Sequence, residues 1–177
     1  MKFNALPLTG AYQIEIETVS DERGFFARTW CQETALSLGL DPHMEQCSVS
    51  YNIRKGTLRG MHFQRAPYGE AKLVRCTRGV IYDVLLDLRP DSATFKNWLS
   101  VELSADNHQM VYIPPGLAHG FITLADDSEV FYQISQPYRP EASAGVRWND
   151  PAFAISWPMA PTVLSERDQS YPEFCLD

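Results

Sequence analysis

Short runs in which apolar and polar residues alternate recur along most of this chain, and Gly, Pro, Asn and Asp fall between them. A period of two sends successive side chains to opposite faces, so such runs build half-buried strands of an all-β sandwich or barrel rather than βαβ units. The pattern predicts strands at Tyr12 to Thr18, Gln46 to Asn52, Lys72 to Arg78, Gly79 to Leu88, Trp98 to Leu103, Met110 to Ile113, Gly120 to Leu124 and Glu129 to Tyr138. Turn residues at Arg54-Lys55-Gly56, Arg89-Pro90-Asp91-Ser92 and Ser104-Ala105-Asp106-Asn107 point to hairpin connections. One short peripheral helix is expected at Gln32 to Leu38, with Ala35, Leu36 and Leu38 on one face and Gly39 as its stop. The Pro-rich segment from Pro151 to Asp177 lacks strand periodicity and should wrap the barrel as loops and a helical turn.

At 177 residues and 45% hydrophobic, the chain can bury one core, which points to a single domain over residues 1–177. A net charge of −7 with scattered Lys and Arg argues against a nucleic-acid surface, so an anionic ligand needs a local basic pocket. Four cysteines without Cys-x-x-Cys spacing read as reduced thiols. No apolar signal core opens the chain and no run is long enough for a membrane span, so a soluble, cytoplasmic protein is expected.

Chemistry concentrates in Leu58-Arg59-Gly60-Met61-His62-Phe63-Gln64 and Glu70-Ala71-Lys72-Leu73-Val74-Arg75, and a second histidine, His119, follows the Pro114-Pro115-Gly116 turn. Alternation would set Arg59 opposite His62 unless Gly60 bends the strand; with that bend, Arg59, His62, Gln64 and Lys72 can share one barrel mouth. His62 reads either as a general base or as a structural histidine satisfied by a neighbour, and Asp168 is a candidate carboxylate partner. Tyr132 falls with Val130 and Ile134 on the inner face, as a proton donor or as a core tyrosine bonded to a carbonyl. His62, Glu70 and His119 resemble a depleted ligand set of metal-binding cupins, with Gln64 where a second histidine would stand, so no metal is expected. Dinucleotide, nucleophile-elbow and phosphate-loop motifs are missing, which leaves proton movement without an organic cofactor.

Asp21-Glu22-Arg23-Gly24-Phe25-Phe26, Leu58 to Gln64, Lys72-Leu73-Val74-Arg75-Cys76, Pro114 to Phe121, Arg147-Trp148-Asn149-Asp150-Pro151 and Ser165-Glu166-Arg167-Asp168 occur in the order seen in the dTDP-4-dehydrorhamnose 3,5-epimerase family, which the chain resembles from about Gly10 to Asp168. The resemblance implies a cupin-type jelly-roll barrel acting, without cofactor, on a nucleotide-linked 4-keto-6-deoxyhexose. It implies His62 as base, Asp168 as its orienter, Tyr132 as the acid on the opposite face and Lys72 beside the enolate oxygen. His119 and Tyr138 would line the sugar site and Arg59 would hold the diphosphate, while Arg23, Phe26 and Gln46 would bind the nucleotide. A homodimer with an exchanged N-terminal strand would bring Arg23 and Phe26 from the partner.

The chain departs from the family after Gln46, where Ser48 occupies a position commonly held by a base-reading Asn, and Tyr51 to Lys55 is one residue longer than usual. A CDP- or GDP-linked substrate, inversion at one centre only and a ketoisomerase therefore stay open. A metal-dependent cupin oxygenase and a non-catalytic sugar-binding cupin are more distant alternatives.

Overall fold

The computed structural model describes residues 1–175. Among them, β1 (Lys2–Ala5), β2 (Tyr12–Glu15), β3 (Thr18–Asp21) and β4 (Gly24–Ala27) precede α1 (Gln32–Ser37). Then come β5 (Gln46–Asn52), β6 (Leu58–Gln64), β7 (Lys72–Arg78), β8 (Val80–Asp87), β9 (Trp98–Ser104), β10 (Met110–Ile113), β11 (Leu117–Thr123), β12 (Ser128–Ile134), β13 (Ser143–Gly145) and α2 (Glu166–Ser170). One sheet runs β1-β2-β10-β7-β12-β5 and a second runs β13-β6-β11-β8-β9, while β3 and β4 pair only with each other. From β5 onward the chain passes between the two sheets at every step except the β8–β9 hairpin, which winds it into the cupin-type jelly roll.

Burial explains why some strands alternate and others do not. Ile81 and Leu85 of β8 face the space between the sheets, packed with Val74, Cys76, Val111, Phe121 and Val130. Val84 and Leu86 point the other way and are buried as well, because Phe153, Ile155, Trp157 and Phe174 of the C-terminal wrap cover that face with Met61 and Ala118. A strand covered on both sides gains nothing from polar alternation, so β8 is nearly continuous in apolar residues. The outer face of the other sheet is covered around Ile14, Leu73, Met110 and Tyr112 by Trp30, Leu40 and Met44.

Several sequence expectations need correction. The run from Tyr12 to Thr18 divides into β2 and the start of β3, and β12 ends at Ile134, short of Pro137, whose ring nitrogen cannot donate to a ladder. Only Ala35 of α1 is buried; Leu36 and Leu38 are exposed. Of the three turn clusters, only Arg89 to Ser92 lies in a hairpin between neighbouring strands, since Arg54-Lys55-Gly56 and Ser104 to Asn107 carry the chain from one sheet to the other. In the β8–β9 turn, the fully buried Asp87 carboxylate accepts hydrogen bonds from Arg89 Nε at 2.9 Å, Ser92 Oγ at 2.6 Å and Thr94 Oγ1 at 2.6 Å.

Candidate active site

Arg59 and His62 stand three residues apart on β6, which in a regular strand puts them on opposite faces. In the β6–β11 ladder His62 lies opposite His119 and Arg59 opposite Phe121, so three steps on β6 match two on β11. This bulge restores a common face, and both side chains enter one cavity of about 310 Å³. Gly60 makes it feasible: its φ is +140°, and a Cβ there would sit 2.5 Å from the Gly120 Cα.

The same cavity is lined by Gln46, Ser48, Glu70, Lys72, His119, Tyr132 and Tyr138. Asp168 lies behind His62, where α2 brings its carboxylate to 2.6 Å from the imidazole Nε2. Ser165 caps α2 by accepting from the Asp168 N–H at 3.1 Å, which sets the carboxylate's position. Burial works against ionisation of Asp168, but the His62 imidazole, the Gly60 N–H and Ser165 outweigh it and hold the carboxyl below its ordinary range. A carboxylate accepting from Nε2 keeps the proton there and leaves Nδ1 as the ring nitrogen with a lone pair.

His119 forms a second pair, its Nε2 lying 2.7 Å from Oδ1 of the fully buried Asp83. Burial pushes the Asp83 carboxyl upward, opposed by the His119 imidazole and by Lys72. Lys72 Nζ lies 3.0 Å from Glu70 Oε1 and 3.4 Å from the His62 carbonyl, so a cation is buried beside the dyad. Tyr132 reaches in from β12 on the opposite sheet, its ring 6.0 Å from that of His119. Burial raises the Tyr132 hydroxyl well above the ordinary phenol range, with Asp83 adding to the shift and Arg59 opposing it, so it stands in the cavity as a neutral acid.

At the rim, Arg59 Nε donates to Asn52 Oδ1 at 2.8 Å, which leaves the rest of the guanidinium for an anion. The Tyr138 backbone N–H donates to Gln46 Oε1 at 2.8 Å and holds that amide in place.

The barrel does not gather every expected residue. Gln64 stays out of the cavity, its amide engaged with the backbone of Tyr68, Pro137 and Arg139. Arg23 and Phe26 lie on the projecting β3–β4 hairpin, away from the cavity, with Phe26 78% exposed and the Arg23 Nε paired to Asp21 at 3.1 Å. His62, Glu70 and His119 do not converge as ligands, because each is turned toward its own partner, Asp168, Lys72 or Asp83. Sequence reasoning missed Asp83 and Asn52. For Asp83 the signal was available: a carboxylate of inward parity in an apolar strand demands a partner.

An antiparallel cupin barrel with a histidine–carboxylate dyad, a buried lysine and a neutral tyrosine around one cavity is built for proton transfer at carbon. The family model described as dTDP-4-dehydrorhamnose 3,5-epimerase matches residues 5–175. A dTDP-4-dehydrorhamnose 3,5-epimerase of Escherichia coli is 42% identical over 166 residues, covering 93% of this chain and 88% of that protein. The crystal structure of the Bacillus anthracis enzyme of that name, with TDP and PPi bound, superposes with a TM-score of 0.93 at 40% identity, over 98% of this chain and 99% of that one. A 3′-monoepimerase from Streptomyces bikiniensis in complex with dTDP-quinovose superposes at 0.87 and 34% identity, over 95% and 85%. The chain belongs to the dTDP-4-dehydrorhamnose 3,5-epimerase family.

Proposed function

We propose that this protein inverts C3 and C5 of dTDP-4-dehydro-6-deoxyglucose to give dTDP-4-dehydrorhamnose, by proton transfer alone. The observation that carries the reading is that His62, backed by Asp168, and Tyr132 enter one cavity from opposite sheets, with Lys72 buried beside them. His62 takes the proton next to the keto group onto Nδ1, and the C–H electron pair moves into the carbonyl to form an enolate. A ketone's α-proton is far less acidic than an imidazolium, so the base needs a cation at the developing oxyanion, and Lys72 supplies it. Tyr132 then delivers a proton to the other face of the same carbon, which inverts the centre.

Arg59 holds the diphosphate with its planar fork. His119 and Tyr138 contact the sugar, and Gln46 and Ser48 contact the nucleotide. In a homodimer, the β3–β4 hairpin of the partner brings Arg23 and Phe26 to the open side of the cavity; the exposure of Val19 and Phe26 on that hairpin supports an exchange of this kind. Inversion at one centre only is the second reading, favoured by the likeness to the monoepimerase.

Proton NMR of dTDP-4-keto-6-deoxyglucose with the protein in deuterium oxide tests both readings. Loss of the C3 and C5 signals is expected, and loss of one alone selects the single-centre enzyme. His62→Ala should stop exchange, and persistent exchange in that variant would remove His62 as the base.

A further inference from the structure

Asp168 fixes one atom of the His62 ring, and a single hydrogen bond leaves the imidazole free to pivot about it. A second contact closes that freedom. Tyr171, at the C-terminal cap of α2, presents its ring to His62 with centroids 6.2 Å apart and planes at 64°. The ring reaches this place through a slot in the strand next to the base: Gly145 of β13 lies opposite His62 in the ladder, and a Cβ at Gly145 would run into the Tyr171 ring. The hydroxyl end is anchored too. Arg167 Nε donates to the Tyr171 oxygen at 2.9 Å, and its terminal nitrogen donates to Ser143 Oγ of β13 at 2.7 Å.

We infer that Tyr171 is a positioning residue for proton abstraction: with Asp168, it restrains the His62 ring at two points so that Nδ1, the nitrogen Asp168 leaves free, is held in one place. One short helix and its cap thereby supply both restraints, from positions three residues apart. The inference rests on the reading of His62 as the base. Displacing a reacting group by a fraction of an ångström is enough to slow chemistry strongly, whereas substrate affinity, set by other side chains such as Arg59, Gln46 and Ser48, is largely untouched.

The test compares solvent-deuterium incorporation into dTDP-4-keto-6-deoxyglucose by the parent protein and by Tyr171→Phe, Tyr171→Ala, Tyr171→Leu and His62→Ala. Tyr171→Ala should lower the maximal exchange rate about tenfold with KM changed by less than about twofold. Tyr171→Phe, which keeps the ring, should restore the parent rate. The His62 ring signals in nitrogen-resolved NMR should move in Tyr171→Ala and stay in Tyr171→Phe. Parent-like exchange in Tyr171→Ala, a loss confined to KM, or a Tyr171→Phe variant as slow as Tyr171→Ala would overturn the inference. If Tyr171→Ala does not fold, Tyr171→Leu carries the same comparison with the slot filled. Continued exchange by His62→Ala would instead overturn the base assignment, so the two failures read differently.

Discussion

Asp168 Oδ1 and His62 Nε2 lie 2.6 Å apart although 106 positions separate them in the chain. The histidine sits on a central strand of the barrel and the carboxylate on a helix outside it, so the dyad is assembled only where the C-terminal wrap crosses β6. Asp168→Asn tests what the carboxylate contributes. The amide is of equal size but can present an N–H to Nε2, which shifts the ring proton to Nδ1 and removes the lone pair from the cavity side. Steady-state kinetics should show kcat lowered by about 10³-fold with KM little changed.

Tyr132→Phe separates the two halves of the reaction. Under the proposed role of His62 as base, proton removal needs no phenol, so deuterium from solvent should still enter the substrate, while inverted product should fall by about 10²-fold or more. Comparing isotope incorporation by mass spectrometry with product stereochemistry by NMR measures both at once. Equal losses in the two readouts would place Tyr132 elsewhere in the mechanism.

Gly60→Ala should damage fold and site together. The new methyl meets the Gly120 backbone, and the positive φ is one that alanine tolerates poorly. A stability loss on the order of 3 kcal/mol in urea denaturation is expected, with loss of activity under conditions where the variant remains folded.

Acid sensitivity follows from the two buried carboxylates whose folded values are depressed. For Asp87 burial acts upward, but hydrogen bonds from Arg89, Ser92 and Thr94 outweigh it, and Asp168 is held down beside His62 in the same sense. Each stabilises the fold fully above the unfolded carboxylate range, and that contribution is lost as pH falls through the lower folded value. Asp83, shifted upward, acts in the opposite direction and blunts the effect. The urea midpoint should hold from pH 7 to about 5 and drop below about 4. Asp87→Asn should lose roughly 3 kcal/mol at pH 7 and show a shallower acid limb; an unchanged acid slope would put the sensitivity elsewhere.

Much of the barrel was legible because inward and outward residues alternate where only one face is buried. β5 occupies the residues that alternation predicts, β7 and β10 occupy the residues assigned to them although both of their faces are buried, and the parity that sets Tyr132 inward holds in the fold. The common face of Arg59 and His62 was legible only through Gly60, since a bulge is a property of two paired strands and one strand cannot reveal it. Turn residues showed where the chain reverses, yet the sheet it enters next depends on packing across the barrel, so two sheet-to-sheet passages read as hairpins. β4 escaped notice because Gly24-Phe25-Phe26-Ala27 has no alternation and packs on no core of its own. Tyr171 carried no signal at all, because its role depends on the empty space at Gly145.

The strands of the barrel, β13 included, all precede the helix that supplies Asp168. During synthesis the chain therefore makes its barrel strands before it makes the carboxylate that pairs with His62. In this architecture the barrel and the carboxylate that faces His62 belong to successive stretches of the chain, joined only where α2 packs against β6.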